Sequence, residues 1–329
     1  MAKFIQADKP CIMSFKSPAM IKYFYKNIRG TVLEESTDLQ RGTWVYVEAP
    51  TADEIQLLAK RFDLEPGNLE DALDEDEMPR LEREGEHTYI YVRFAYRDSR
   101  GELSTAPLLI VFSGGEHVLT IGQVHLPALD FLKRGRIAFA TTQRAKLVLL
   151  ILSHMSDQYD GFINTTSRQI KAIRSRLRGN GITNQDLLDF VTIEDDLNEF
   201  QSSLQPTNAA LRRLLVGKQI PLFDEDHDIV EDLLLNNEQS IEAIRSNLRS
   251  ITNIRDSYSA ISSNNLNRTI TLLTLATILV ALPNVFFGMY GMNVKLPFQT
   301  AGWAYEAIVS LNVMVIALII YIVRKKRII

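Results

Sequence analysis

Residues 269–290 read TITLLTLATILVALPNVFFGMY, and no charged side chain lies between Arg268 and Lys295. At a rise of 1.5 Å per residue, about 20 such residues cross the roughly 30 Å hydrocarbon core of a bilayer. The run is therefore predicted to be a membrane helix. The short turn Gly291-Met292-Asn293 follows directly at its end.

A second apolar run covers residues 303–323, with one acid, Glu306, near its start, and leads into the basic cluster 324–327. Two successive spans leave both flanks on one side of the membrane, and the positive-inside rule assigns that side to the cytoplasm. We therefore expect a cell-membrane protein with both termini in the cytoplasm and residues 291–302 outside. By hydropathy alone, two apolar runs are equally typical of a simple hairpin anchor.

The first run also carries polar side chains at roughly helical spacing, which form a stripe along the span. In lipid such a stripe must face protein or water, because unpaired polar groups are costly there. A threonine hydroxyl can bond to its own helix backbone, but an asparagine amide is less easily explained in this way. The stripe consists of Thr271, Thr274, Thr277 and Asn284, with Asn267 just before the run.

The tripeptide Gly291-Met292-Asn293, preceded by Tyr290 and placed between two C-terminal spans, resembles the signature of the CorA-type magnesium transporters. Its setting strengthens the match, because the span before it contains Pro283 and the span after it ends in Lys and Arg. The resemblance in architecture covers most of the chain, and the sequence motifs that support it lie from Asp232 onward. It implies a homopentamer in which five first spans line a pore and five Gly-Met-Asn turns form the outer mouth.

The chemistry of this turn suits magnesium. Mg²⁺ releases its octahedral water shell reluctantly, so a site for it retains most of those waters and offers them oxygens. Rings of Asn293 amides and Gly291 carbonyls would supply neutral oxygens, which bind weakly enough for the ion to leave. Met292 is more typical of packing, because sulfur is a poor ligand for a hard cation. Gly291 is also typical of a helix C-cap, and the two roles are compatible.

The resemblance also places a hydrophobic gate on the first span, at Ile270, Leu273 and Ala281. Apolar rings can close a pore by dewetting, although Ala281 is small for that task. Ordinary packing against the second span is an equally good interpretation of each residue. The outer loop has no acid before Glu306, a departure from many relatives, so cation recruitment would depend on Asn293, with Glu306 as a helper. The predicted pore-lining set is Asn267, Ile270, Leu273, Thr274, Thr277, Ala281 and Asn284.

The N-terminal part alternates strand and helix patterns, which predicts a mixed sheet with flanking helices in an α/β/α domain. Strand patterns cover residues 43–48, 87–96, 107–112 and 117–122, and capping boxes open helices at Thr51 and Thr183. A helical hairpin over about 140–215 follows. The predicted fold class is mixed α+β, and the predicted assembly is a funnel-shaped homopentamer. The predicted segments are an α/β domain with this hairpin (1–225), a stalk helix (226–268), the first span (269–290), an outer loop (291–302), the second span (303–323) and a basic tail (324–329).

The stalk pattern contains no proline or glycine before Pro283, so it is predicted to continue unbroken into the first span. Acidic runs lie at its start and at residues 70–77. A charge run is usually a solvated face. By resemblance, Glu70, Asp71 and Asp232 instead bind a regulatory divalent ion across a subunit interface. Asp256 is a weaker candidate that would otherwise pair with a neighbouring arginine, Arg255 or Arg249.

Several classes of protein find no support in the sequence. The net charge of −4 gives no indication of nucleic-acid binding, and the single cysteine, Cys11, excludes an internal disulfide. The five histidines lack zinc-site spacing, and the chain has no Walker loop, nucleophile elbow or HExxH pattern. The chain is therefore not expected to be an enzyme or an ATP-driven pump.

Three functional hypotheses follow. The first is passive, potential-driven Mg²⁺ uptake, closed by cytosolic Mg²⁺, with Co²⁺ or Ni²⁺ as further cargo. The second is transport of zinc or another divalent ion by a relative of the same architecture; the intact Met292 favours the first, because zinc relatives tend to vary it. The third is a membrane-anchored scaffold or sensor that conducts nothing, against which Asn267, Thr274 and Asn284 argue.

Overall fold

The computed structural model describes residues 20–114, 116–135, 137–178, 182–217, 219–292 and 301–325. By its internal contacts the chain divides into two compact units, with the boundary in sequence between Ile251 and Thr252.

The first unit is built on a seven-stranded sheet in the order β2-β1-β3-β7-β6-β5-β4. The β3–β7 pair is parallel, and the other neighbouring strands are antiparallel. The four strands predicted from the sequence are β3, β5, β6 and β7. The strands are β1 (Met20–Tyr25), β2 (Glu34–Ser36), β3 (Trp44–Glu48), β4 (Arg80–Glu84), β5 (His87–Arg97), β6 (Leu103–Ser113) and β7 (His117–Gly122).

The central strands are buried along their length, since both faces of the sheet are covered. One face packs on α1 (Ala52–Phe62), α2 (Pro66–Glu70) and a short 3₁₀ helix, Asp71–Leu73. The other face packs on α3, α4, the end of α5 and the start of α6. The predicted α/β/α arrangement is therefore confirmed. The remaining helices are α3 (Pro127–Lys133), α4 (Arg144–Arg178), α5 (Asn184–Val216), α6 (Asp224–Tyr290) and α7 (Ala304–Lys325).

Both predicted capping boxes are present. The Thr51 hydroxyl accepts a hydrogen bond from the Glu54 amide, and Glu54 in turn accepts one from the Thr51 amide. Thr183 and Asp186 make the same reciprocal pair at the start of α5. Arg176 of α4 also binds the Asp186 carboxylate, so the cap of one helix is joined to the end of the other. These contacts fix the start of α5 within the predicted helical hairpin.

Helix α6 is 67 residues long and contains Pro283 without ending there. The prediction of one unbroken helix from stalk to membrane is confirmed. In the first unit, α6 buries a stripe at helical spacing that includes Val230, Leu233, Ile244 and Ile251. Tertiary packing of this face stabilises that part of the helix.

Two polar contacts join α4 to α6 in the first unit. The Ser156 hydroxyl donates to Asn237 Oδ1 at 2.7 Å, and both side chains are buried. Further along, Asn247 Nδ2 donates to Ser167 Oγ at 2.7 Å. The partners are 81 and 80 residues apart in sequence, so the two helices run parallel in a constant register.

In the second unit, α6 and α7 are long and apolar enough to cross a membrane. None of the apolar window of α6 is buried, and only 11% of that of α7 is. A water-soluble protein rarely exposes so large an apolar surface. The membrane prediction for both helices is therefore supported by exposure as well as by composition.

Candidate ion pathway and cation-binding residues

The membrane half of α6 is shielded along one narrow stripe. Between residues 261 and 289, six side chains are partly covered and the others are exposed. Successive residues on a helix are about 100° apart, and at that spacing the six side chains fall on one face. The partly covered residues are Thr271, Leu275, Leu279, Leu282, Pro283 and Phe286.

The predicted pore-lining residues lie on roughly the opposite face of α6. All seven are exposed, and at about 100° per residue the mean direction of these seven side chains is about 150° from that of the shielded stripe. The stripe predicted from polar residues alone included Thr271, which instead belongs to the shielded face. The structure thus separates Thr271 from the other members of that stripe.

Hydrogen bonding distinguishes Thr271 and Thr277 from the asparagines on α6. Thr271 and Thr277 donate their hydroxyls to the carbonyls of Asn267 and Leu273, each at 2.8 Å. The side-chain amides of Asn267 and Asn284 form no hydrogen bond with any residue that the structure describes. An amide in this position requires water, an ion or another subunit.

The residues of the proposed gate are apolar and exposed, and two of the three are large. Ile270 is 53% exposed and Leu273 69% exposed, while Ala281 is also exposed. None of the three packs as a buried residue within the described part of the chain. The alternative interpretation, in which they are ordinary intrachain packing residues, therefore receives no support from the structure.

The turn after α6 is described as far as Met292. The Gly291 amide donates to the Phe287 carbonyl at 2.9 Å, and the Met292 amide donates to Met289 at 3.3 Å. Gly291 does not have a positive φ, and an added Cβ would meet the Phe287 carbonyl at 3.4 Å, an ordinary contact. A left-handed cap is thus not formed at Gly291. Asn293, the outer loop to residue 300, and the basic residues 326–327 lie outside the described residues.

Helix α7 has its own covered stripe, and one of its members is polar. Asn312 is only 5% exposed, and its Nδ2 donates to the Ile308 carbonyl at 2.9 Å. Its Oδ1 has no partner within the described part of the chain. Sequence reasoning did not select Asn312, although an amide in a span of this hydrophobicity was a usable signal.

The acidic pair on the first unit is partly engaged. Gln56 Nε2 donates to Glu70 at 2.8 Å, and Arg80 Nη2 donates to Asp71 Oδ2 at 2.6 Å. The Asp71 side chain nevertheless remains 41% exposed, and its Oδ1 has no hydrogen bond with a described residue. One hard carboxylate oxygen therefore remains open, which fits the donor chemistry that a divalent cation needs.

Arg80 is the basic centre of this region, and the sequence analysis did not predict its role. Besides Asp71 it binds Glu77 and Glu82, and its guanidinium lies 3.7 Å from the centroid of the Tyr91 ring. Burial alone lowers the Arg80 pKa, but the hydrogen bond to Glu82 and the charges around it raise the pKa overall. A basic residue directly after an acidic run was the available signal.

The other predicted cation ligands are exposed. Asp232 and Asp256 form no hydrogen bond or ion pair with a described residue. Arg249, one of the partners considered for Asp256, instead binds Glu242 at 2.8 Å. Within the described ranges of one chain, no three acidic, histidine or cysteine side chains converge to hold a metal ion.

Comparison with known proteins agrees with this architecture. The model of the family described as "CorA-like Mg2+ transporter protein" matches residues 40–326. The cobalt/magnesium transport protein CorA of Methanocaldococcus jannaschii is 25% identical over 303 residues, which cover 89% of this chain and 93% of that protein.

Solved structures show the same fold. The complete structure of the M. jannaschii CorA magnesium transporter superposes with a TM-score of 0.80 at 22% identity, covering 93% of this chain and 97% of that one. The cytoplasmic domain of ZntB from Vibrio parahaemolyticus gives a TM-score of 0.61 at 12% identity, covering 74% of this chain and 98% of that domain. Together with the family match over most of the sequence, these results show that the chain belongs to the CorA family, and is thus a membrane-embedded transporter of divalent cations and not an enzyme.

Proposed function

We propose that the protein is a passive channel for Mg²⁺ uptake, driven by the inside-negative membrane potential. The observation that carries the proposal is the exposed face of α6, on which amides and apolar side chains lie opposite the shielded stripe. The M. jannaschii relative named as a cobalt/magnesium transport protein supports magnesium as cargo. For a divalent ion, a potential of 100 mV supplies about 4.6 kcal/mol, so no ATP site is required.

The exposed face of α6 is proposed to line a pore at the centre of a homopentamer. Asn267 and Asn284 would then face water and hydrated ions, which explains why neither amide has a hydrogen-bond partner among the described residues. Ile270 and Leu273 would form apolar rings that close the pore by dewetting, with Ala281 as a wider third ring. Thr274 and Thr277 complete the lining.

The selectivity filter is proposed at Gly291, Met292 and Asn293. Five amide oxygens from Asn293 and five carbonyl oxygens from Gly291 would bind the water shell of Mg²⁺ without the deep electrostatic trap of a carboxylate ring. Met292 is 56% exposed, and its sulfur is a poor ligand for Mg²⁺. Co²⁺ and Ni²⁺ are proposed as secondary cargo through the same neutral oxygens.

The proposed topology has both termini in the cytoplasm of a cell membrane, with residues 291–302 outside. The basic cluster 324–327 at the end of α7 supports this orientation. The domain boundaries predicted from the sequence follow from it, with residues 226–268 as the cytosolic stalk and 269–290 as the first span.

Closure is proposed to depend on cytosolic Mg²⁺ bound between subunits. Two carboxylates about 4 Å apart repel each other by roughly 4 kcal/mol at an effective dielectric constant of 20, and a bound divalent cation removes that repulsion. Asp71, with Glu70 beside it, would meet Asp232 of the neighbouring subunit, and Asp256 is a weaker site further along α6. The open Oδ1 of Asp71 and the unpartnered carboxylate of Asp232 support this arrangement.

The direct test is Mg²⁺ uptake into liposomes that contain the purified full-length protein, with an inside-negative potential. Asn293→Ala is expected to reduce uptake at least 100-fold, while Gln299→Ala, which removes an amide from the same loop, serves as the matched control. Co²⁺, Ni²⁺ and Zn²⁺ are added as competitors. Zn²⁺ uptake without Mg²⁺ uptake would contradict magnesium as the cargo, and no uptake of any ion would contradict a channel.

The closure proposal has a separate test. The double variant Asp71→Asn with Asp232→Asn is expected to transport Mg²⁺ without inhibition by Mg²⁺ on the cytosolic side. Glu231→Gln, which neutralises an exposed acid next to Asp232, is the control. Unchanged inhibition in the double variant would rule out these residues as the regulatory site.

A further inference from the structure

Arg80 is surrounded by more negative charge than it neutralises. Its Nη2, Nη1 and Nε each bind a different carboxylate, with Asp71 Oδ2 at 2.6 Å, Glu77 in a close ion pair, and Glu82 Oε1 at 2.7 Å. Three carboxylates against one guanidinium leave a local charge of −2. The region therefore attracts further cations even with Arg80 in place.

The partners of Arg80 differ in where they lie. Most of them are on the same sheet as Arg80 or in the short segment just before it. Arg80 and Tyr91 are directly paired across β4 and β5, and the Tyr91 hydroxyl is itself fixed by donating to the Asn68 carbonyl at 2.8 Å. Glu82 lies two residues further on β4, and the Glu77 side chain is only 14% exposed. These contacts hold the guanidinium in place whether or not Asp71 is bound.

Asp71 is the exposed contact of Arg80 that lies outside the sheet, whereas Glu82, whose side chain is 44% exposed, lies on β4. Asp71 lies in the 3₁₀ helix, and its side chain is 41% exposed. A cation that binds the free Oδ1 of Asp71 must share the carboxylate with the guanidinium or displace it from Oδ2. In both cases the positive charge of Arg80 opposes the positive charge of the cation.

We propose that Arg80 is a tethered competitor that weakens cation binding at Asp71 and so sets the Mg²⁺ concentration at which the transporter closes. This inference rests on the proposed regulatory role of Asp71. Because the charge of Arg80 partly neutralises the Asp71 carboxylate, Mg²⁺ does not bind there at low concentration. Closure then requires a concentration high enough for Mg²⁺ to compete.

The test uses the full-length protein in detergent and measures the melting temperature and the resistance to proteinase K across a series of MgCl₂ concentrations. Arg80→Gln removes the charge, and Arg80→Met also removes it but keeps an apolar chain over Tyr91. For both variants, the Mg²⁺ concentration at the midpoint of the stabilisation is expected to fall about tenfold. Either variant is sufficient for the test if the other does not fold. Arg80→Lys, which keeps the charge, should stay near the wild-type midpoint.

Arg83→Gln is the matched control, since Arg83 is exposed on the same strand and its Nε binds only the Gly85 carbonyl, at 3.4 Å. Its midpoint should lie within twofold of the wild type. Asp71→Asn should remove the Mg²⁺ response altogether.

The outcomes separate this inference from the proposed site. An unchanged or higher midpoint in the neutral Arg80 variants, with the response lost in Asp71→Asn, overturns the role of Arg80 and leaves the regulatory site standing. A Mg²⁺ response that persists in Asp71→Asn overturns the regulatory site, and the role of Arg80 with it.

Discussion

The two parts of the continuous helix α6 differ in how far their apolar side chains are buried. Up to Ile251 the helix buries a stripe against its own chain, including residues such as Ile244 that are 0% exposed. Between residues 261 and 289 no described side chain is buried, and large apolar groups such as Leu273 are open. The packing of the first part is formed within one chain, whereas the described residues of the same chain leave the apolar surface of the second part uncovered.

This difference indicates where each part gains its stability. In the first unit, burial of apolar area and paired polar groups stabilise the fold directly. In the membrane part, lipid and, in the proposed pentamer, neighbouring subunits would cover the surface that the helix leaves open. Substitutions in the two parts should therefore have different consequences, the first for stability and the second for transport.

The largest expected effect on stability comes from the buried stripe. Ile244→Ala should lower the free energy of unfolding of the first unit by about 3 kcal/mol through lost burial and a cavity. Ile270→Ala, the same change at a side chain that is 53% exposed, should alter it by less than about 0.5 kcal/mol. Urea unfolding is followed by the fluorescence of fully buried Trp44 in a Trp303→Phe background. Equal losses in the two variants would remove the distinction between the two parts.

A smaller effect is expected at the buried polar contact between α4 and α6. Asn237→Ala leaves the Ser156 hydroxyl without its acceptor and should cost about 2 kcal/mol, with a coupling of about 1 kcal/mol in a double-mutant cycle with Ser156→Ala. Asn164→Ala removes an exposed amide that binds Asp160 within α4 and should cost less than about 0.5 kcal/mol. A coupling of zero would show that the contact does not hold the helices in register.

The smallest effect concerns a carboxylate in the first unit. Asp196 lines a cavity of about 390 Å³, and burial together with neighbouring Glu199 and Asp195 raises its pKa to about 6. The folded state then binds more protons than the unfolded state between roughly pH 4 and 6, so stability falls as pH rises through that range. Asp196→Asn should raise the free energy of unfolding by about 1 kcal/mol at pH 7, a value that is reduced for solvent screening, and should leave it unchanged below pH 4.

The control for that prediction is Asp256→Asn, which changes an exposed carboxylate that forms no ion pair with a described residue. It should leave the pH dependence of unfolding as in the wild type. A gain from Asp196→Asn that is the same at pH 4 and pH 7 would contradict titration of Asp196 as the cause.

The regular elements of the fold were predictable because their signals are local. Both capping boxes, at Thr51 and Thr183, follow from side chains three residues apart. The unbroken α6 follows from the absence of glycine and proline over a long periodic stretch. Strands β1, β2 and β4 were missed, because short strands at or near a sheet edge have weak patterns and owe their structure to pairing with a neighbouring strand.

The candidate site was predictable only in part. The positions of Asn267 and Asn284 on one exposed face follow from helical spacing. The placement of Thr271 on the opposite, shielded face required the structure, since composition alone grouped it with the other polar residues. Of the four partners of Arg80, Glu77 and Glu82 lie within three residues of it in sequence. The contacts with Asp71 and Tyr91 required the structure, since Tyr91 lies opposite Arg80 only through the pairing of β4 with β5.

The central claim is that one face of α6 lines a water-filled ion pathway while the opposite face does not. It is tested most directly with cysteines at Thr277 and Leu279, two residues apart in depth but on opposite faces, in a Cys11→Ser background that has no other cysteine. A positively charged thiol reagent is expected to block Mg²⁺ uptake through the Thr277→Cys protein and to leave uptake through the Leu279→Cys protein within twofold of its untreated rate. Block of the Leu279→Cys protein alone, or equal block of both, would contradict the account.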